Sequence, residues 1–408
     1  VFGLYAQEDI KNAAGEVVVE KDALIELGTT DEEGKLVFQA DLPHGKYYIQ
    51  EVEHKPGYLP NDEVYSFDAS YTDQTLELLA FSEEISNQPT ITEFAKVDLT
   101  GGQEIEGAKM QILDQDGKVV EEWVSKKEPH VVYALEPGEY VLHEEQAPTE
   151  QGYVRAEDVK FVVEETVDVQ KVKMEDDHTK VSISKTDITD GKEIEGAKLQ
   201  ILDQDGEVVE SWTTGEEHLI EYLPVGTYTL HEEAAVDGYI VANDVEFTVE
   251  ETGEIQKVKM EDERAMGQLV IVKTDTDSKA ALEGVEFVLL EKETGEEVGR
   301  LKTGKDGKAV SELLPIGTYE NGVFKEPITY VLKETATLKG YEKTEEEWEI
   351  VFTYQNDKTP VIEVVKEIQN KKIPETPGTV KPGPKTGDDT NWFLPLLALG
   401  VSAGMVAG

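Results

Sequence analysis

The sequence contains no cysteine, so no disulfide can staple it, and neither a thiolate nucleophile nor a thiolate metal site can form. Basic residues are scarce: 38 Lys and Arg stand against 87 Asp and Glu, a net charge of −49 spread along the chain. So acidic a surface repels nucleic acid and anionic membranes, which argues against a DNA- or RNA-binding role. It also keeps a long chain soluble. Sustained helical periodicity is missing outside the C-terminal tail. There is no phosphate-binding loop, no G-x-S-x-G and no dinucleotide fingerprint. The histidines are scattered without metal-ligand spacing, and no metal or cofactor is expected.

What is present is repetition. "KVDLTGGQEIEGAKMQILDQDGKVVEEW" (96–123) recurs as "KTDITDGKEIEGAKLQILDQDGEVVESW" (185–212), and more loosely from Lys273. A second shared stretch appears as "YYIQEVEHKPGY", "YVLHEEQAPTEQGY", "YTLHEEAAVDGY" and "YVLKETATLKGY", at 47, 140, 228 and 330. Lysines 96, 185 and 273 are about ninety residues apart, a period that means tandem domains and not a solenoid. The expected boundaries are 1–90, 91–179, 180–266 and 267–373. The chain begins at "VFGLYA" without methionine or leader and reads as a fragment, its first repeat lacking its first strand. Hydrophobic residues make up 38% of the sequence, enough for packed cores.

Each repeat consists of short alternating or β-branched runs separated by D-G, P-G and P-x-G turns, the pattern of an all-β antiparallel sandwich. "LDQDG" at 113–117 and 202–206 begins like a calcium loop but sits between strands, so it reads as a hairpin turn. "TGKDGK" at 303–308 reads as another. Trp123 and Trp212 hold equivalent strand positions and are expected to pack.

In "KVSISKTD" (180–187), Val181, Ile183 and Lys185 share one strand face, because side chains alternate with a period of two. Phe94 leads to Lys96 in the same way, and Leu269 and Ile271 lead to Lys273. Tyr and Leu precede Glu144, Glu232 and Glu334 on one face. Val172 and Met174 lead to Asp176, Val258 and Met260 to Asp262, and Ile368 to Asn370. Glu175 and Asp177 flank Asp176, one register step away. Any single acidic residue would be background in so acidic a chain, but all three types recur at matched positions. Buried ions are costly and tend to neutralise, which turns a lysine into a nucleophilic amine and lets a protonated glutamate polarise a carbonyl. Attack on an Asp or Asn side chain would give an amide, with loss of water or ammonia, and packing would supply the effective molarity.

The combination of "KxD", "EGA", "YxLxExxAPxGY" and a closing "MxD" or "IxN" resembles the Cna-B-type (SpaA-like, prealbumin-like) domains of Gram-positive surface proteins and pilins, over residues 1 to about 373. The resemblance implies a reversed, Ig-like sandwich and intramolecular isopeptide bonds: Lys96–Asp176 with Glu144 as catalyst, Lys185–Asp262 with Glu232, and Lys273–Asn370 with Glu334. The first repeat keeps Glu51 and an acceptor candidate, Asn87, but its lysine strand is expected to lie before Val1. Val236 replaces the motif proline, and the fourth copy lacks Ala-Pro.

The segment 374–390 is Pro-rich and contains "PKTG" (384–387), which looks like a sortase signal with Gly383 where the pattern has leucine. The resemblance implies Pro384, Lys385, Thr386 and Gly387 as the sortase motif, cleavage after Thr386, and attachment of Thr386 to peptidoglycan. Residues 391–408 read as a truncated membrane segment. The expectation is therefore a secreted, wall-anchored stalk or pilus-associated protein that is a sortase substrate and not an enzyme. The alternative is an adhesin whose own domains bind a host matrix protein or glycan. For that role, the insertion "TYENGVFKEPITY" (318–330) is the first place to look.

Overall fold

The structure, a computed structural model, describes residues 1–70 and 79–375. It is all-β; the helical content among the described residues is a single turn of 3₁₀ helix at Thr149–Gln151. No helix among them is long and apolar enough to cross a membrane.

In the second repeat, the strand carrying the lysine, Ile91–Asp98, lies inside a four-stranded sheet. One neighbour, His130–Tyr133, is antiparallel, and the other, Gln170–His178, is parallel. The first and last strands of the repeat are thus adjacent and run the same way. The opposing sheet is ordered Val159–Val163, Gly138–Gln146, Lys109–Leu113, Val119–Val124. Alternation delivers one face of each strand to a shared core of Phe94, Met110, Ile112, Leu142, Val172 and Met174. Trp123 packs against this core, as expected from the sequence.

The third repeat copies the plan. Lys180–Asp187 lies between His218–Glu221 and the parallel Ile255–Arg264, and Gly226–Ala234 lies in the facing sheet. In the fourth repeat, Met266–Asp275 pairs with Lys308–Val310 and Val361–Asn370. The facing sheet there contains Glu286–Glu291 and Thr329–Ala336. The first repeat contributes one four-stranded sheet, Leu24–Gly28, Phe2–Ala6, Lys46–Glu51, Val64–Asp68, over a small core around Leu4, Ile10 and Tyr47.

The D-G segments are turns. Asp114 Oδ1 accepts from the amides of Asp116 and Lys118, and Gly117 adopts a φ of +77° that glycine accommodates without strain. Two compact units result among the described residues: Val1–Gly267 with Leu313–Ile328 and Val351–Ile362, and a second of Gln268–Glu312, Thr329–Ile350 and 363–375.

Candidate functional site

The period-two argument places Lys96, Lys185 and Lys273 inside their sandwiches, and all three are at most 3% exposed. Their would-be partners are buried too: Glu144, Glu232 and Glu334 from the facing sheet, Asp176 and Asp262 from the parallel neighbour strand, and Asn370 from the strand paired with Met266–Asp275. Register makes the meeting possible. Lys96 lies opposite Met174 and Lys185 opposite Met260, so the aspartates two residues further on share the lysine's face and stand diagonally across the ladder. The flanking Asp177 is partly exposed and ion-paired with Lys180 at 2.7 Å, and Glu175 pairs with Lys173 on the outer face.

Lys96 Nζ lies 2.9 Å from Glu144 Oε2 and donates to Asp176 Oδ1. Lys185 Nζ lies 2.9 Å from Glu232 Oε2 and donates to Asp262 Oδ1. The amides of Ala156 and Ala242 donate to the same glutamate oxygens at 2.7 and 2.6 Å, fixing each carboxylate under its lysine. In the fourth repeat, Lys273 Nζ lies 2.9 Å from Glu334 Oε2 and donates to Asn370 Oδ1 at 2.5 Å. Asn370 Nδ2 donates to Glu334 Oε1 at 2.7 Å and to Thr337 Oγ1 at 2.7 Å. In the first repeat, Asn87 Nδ2 donates to Glu51 Oε1 at 2.9 Å and to Leu59 O at 3.1 Å. That pair has the same acceptor–glutamate contact as Asn370 and Glu334, and among the described residues no lysine is bonded to it.

Burial shapes the protonation of these groups. The carboxyls of Asp176 and Asp262 are pushed up to about 7: burial raises them, the lysine pulls them back, and the glutamate charge raises them again. Glu144 Oε1 and Asp176 Oδ2, and likewise Glu232 Oε1 and Asp262 Oδ2, are buried without a hydrogen-bond partner among the described residues. Two ionised carboxylates cannot bond each other; one shared proton satisfies both oxygens. Burial also lowers Lys273, with Glu334 opposing the shift, toward the neutral amine.

Sequence reasoning missed the supports. The glutamate of "EIEG" accepts from the lysine's own amide, Glu104 from Lys96 and Glu193 from Lys185, both at 3.1 Å. The next residue's amide returns a bond to the lysine carbonyl, Ile105 at 2.7 Å and Ile194 at 2.8 Å. Repetition of "EIEGA" was the available signal. The aspartate of "KxD" closes the turn after the lysine strand. Asp98 accepts from Thr100 and Gly101 amides, and Asp187 from the Thr189 amide and the Tyr239 hydroxyl.

The insertion singled out for ligand binding is a hairpin, Gly317–Glu320 with Val323–Pro327, whose aromatics are already engaged. Tyr319 donates to Gly238 O at 2.8 Å and meets the Tyr239 ring edge-on, and the Arg264 guanidinium sits 4.2 Å over the Tyr319 ring. These contacts cover Tyr319 with residues of the third repeat. Pro384, Lys385, Thr386 and Gly387, and the apolar segment 391–408, lie outside the described residues. No cluster of residues able to hold a metal ion occurs among the described residues.

A family model, the SpaA prealbumin-like fold domain, matches residues 2–81, 90–178, 179–264 and 267–368. No curated protein matches the chain. Among solved structures, the Bacillus anthracis TIE protein is 22% identical, over 91% of this chain and 68% of its own, with a TM-score of 0.49. BcpA, the major pilin subunit of Bacillus cereus, is 15% identical over 69% of this chain and 99% of its own, with a TM-score of 0.40. A streptococcal ancillary pilin is 16% identical over 70% and 99%, with a TM-score of 0.29.

Proposed function

The chain belongs to the SpaA prealbumin-like fold family, and from that premise we propose that it is a cell-wall-anchored surface stalk or pilus-associated structural protein whose repeats close themselves with isopeptide bonds. The observation that carries this reading is the threefold recurrence of a buried lysine between a glutamate and an Asp or Asn side chain.

In each repeat the neutral Lys Nζ attacks Cγ of the acceptor, forming the Nζ–Cγ bond. The glutamate takes a proton from Nζ and returns it to the leaving group. In the Asp repeats the Cγ–O bond breaks and water leaves; in the fourth, the Cγ–Nδ2 bond breaks and ammonia leaves. Nothing enters from outside, so the chemistry is a single maturation event and not turnover of a substrate. The acidic, cysteine-free composition suits an exported chain stapled by amides in place of disulfides. The partners proposed are a sortase acting at Pro384–Gly387 and peptidoglycan joined through Thr386.

The test is the intact mass of the full chain under denaturing conditions. A deficit of two waters and one ammonia is expected, and Glu232→Ala should restore one water. An unmodified mass would leave three costly buried lysines without a chemical role and overturn the proposal.

A further inference from the structure

The acceptors differ in how many protons they must place. A carboxamide Nδ2 carries two hydrogens, whereas a protonated carboxyl carries one. In the fourth repeat, Glu334 Oε1 takes one hydrogen of Asn370 at 2.7 Å, and Thr337 Oγ1 takes the other at 2.7 Å. In the first repeat, Glu51 takes one from Asn87 at 2.9 Å, and Leu59 O takes the other at 3.1 Å. In the Asp repeats the acceptor has only Glu144 or Glu232 facing its free oxygen, and no second acceptor is needed. In the three repeats that carry the lysine, the residue three after the glutamate follows this count. It is Thr337 in the fourth repeat, but Ala147 and Ala235 in the second and third. In the first repeat it is His54, which turns away to pair with Glu165 at 2.8 Å while the Leu59 carbonyl serves instead.

We propose that Thr337 is a positioning residue that matches the fourth repeat to an asparagine acceptor: with Glu334 it holds both Nδ2 hydrogens, so Oδ1 faces Lys273 and the leaving nitrogen faces the glutamate. The inference rests on the isopeptide reading above and adds the residue that adapts the site to Asn. Without the Thr337 hydroxyl, one buried N–H loses its acceptor, and the carboxamide is free to rotate its nitrogen toward the lysine, where attack on Cγ is misaligned. With Asp at position 370, the demand for a second acceptor disappears.

The experiment follows closure of the fourth repeat in the newly synthesised full chain, by mass of the Lys273–residue 370 crosslinked peptide over time. Wild type and Thr337→Ser should lose ammonia at similar rates. Thr337→Val, which keeps the shape, and Thr337→Ala should close roughly tenfold more slowly, as expected for one positioned hydrogen bond. Asn370→Asp and Asn370→Asp/Thr337→Ala should lose water at equal rates. Closure of Thr337→Val at the wild-type rate overturns the proposal. So does an equal slowing by Thr337→Ala in the Asp background, which would mark a general packing role. A wild-type peptide that keeps its ammonia overturns the crosslink itself, a failure distinct from the other two.

Discussion

At Lys185 the side chain is surrounded by groups that compete for the same few protons. Asp262, pushed up to about 7, keeps its proton in the folded chain at pH values where an exposed aspartate has long lost it. Before closure, the folded state therefore binds more protons than the unfolded state between the ordinary aspartate range and about pH 7, so the stability of the unreacted repeat falls as pH rises through that window. The acceptor must also be the neutral acid, so closure through Asp176 and Asp262 should slow as pH rises above about 7. Asn370 has no proton to lose, and burial lowers Lys273, so closure of the fourth repeat should quicken over the same range. Rates measured from peptide masses of freshly made chain at pH 6 and pH 8 would separate the two types, and parallel profiles would contradict this assignment. Lys185, Glu232 and Asp262 were legible in the sequence because a two-residue period assigns each side chain to a face. Ala156 and Ala242 were not, since a backbone amide carries no sequence signal.

The strand-and-turn elements show the same division. Alternating runs and D-G turns announce themselves locally, so the sandwich was readable from the sequence. The glycine of the repeated "GY" was visible as a repeat but not as a joint, because its neighbour lies in the following repeat. Gly57 and Gly152 have φ near +84° and +80°, and a Cβ on each would stand 2.2 Å from Ala134 O and 2.3 Å from Tyr222 O. Only hydrogen fits there. Gly152→Ala adds a left-handed residue and a backbone collision, and should destabilise the second and third repeats by about 1–3 kcal/mol or more. Gly340, at φ +89°, meets nothing within 4 Å, so Gly340→Ala carries the conformational cost alone. Thermal unfolding of both variants in the full chain, made with the lysines replaced so that no bond masks the effect, should rank Gly152→Ala lower. Equal losses would mean that the joint yields. The insertion hairpin shows the same limit: Tyr319 takes its partners from sequence-distant Gly238 and Arg264, which no local pattern announces.

At the scale of the molecule, the proposed bonds would decide which residues bear load. The chain enters the third repeat along Lys180–Asp187 and leaves along the parallel Ile255–Arg264, so a Lys185–Asp262 bond carries tension from first strand to last and bypasses everything between. The 77 residues of separation cannot then be drawn out, and by analogy with disulfides such a closure stabilises the repeat by roughly 4–5 kcal/mol. The second and fourth repeats enclose separations of 80 and 97 residues in the same way. Stretching the full chain by its ends should therefore release no long segment from these three repeats. Glu232→Ala, which removes the glutamate from one site only, should add a single unfolding step. Its length should be roughly 250–280 Å, from 77 residues at about 3.3–3.6 Å each. Steps of that size in the wild-type chain, beyond the one from the first repeat that has no bond to hold it, would show that the strands are not joined. A Glu232→Ala chain that stays inextensible would show that Lys185 reaches Asp262 without the help of the glutamate.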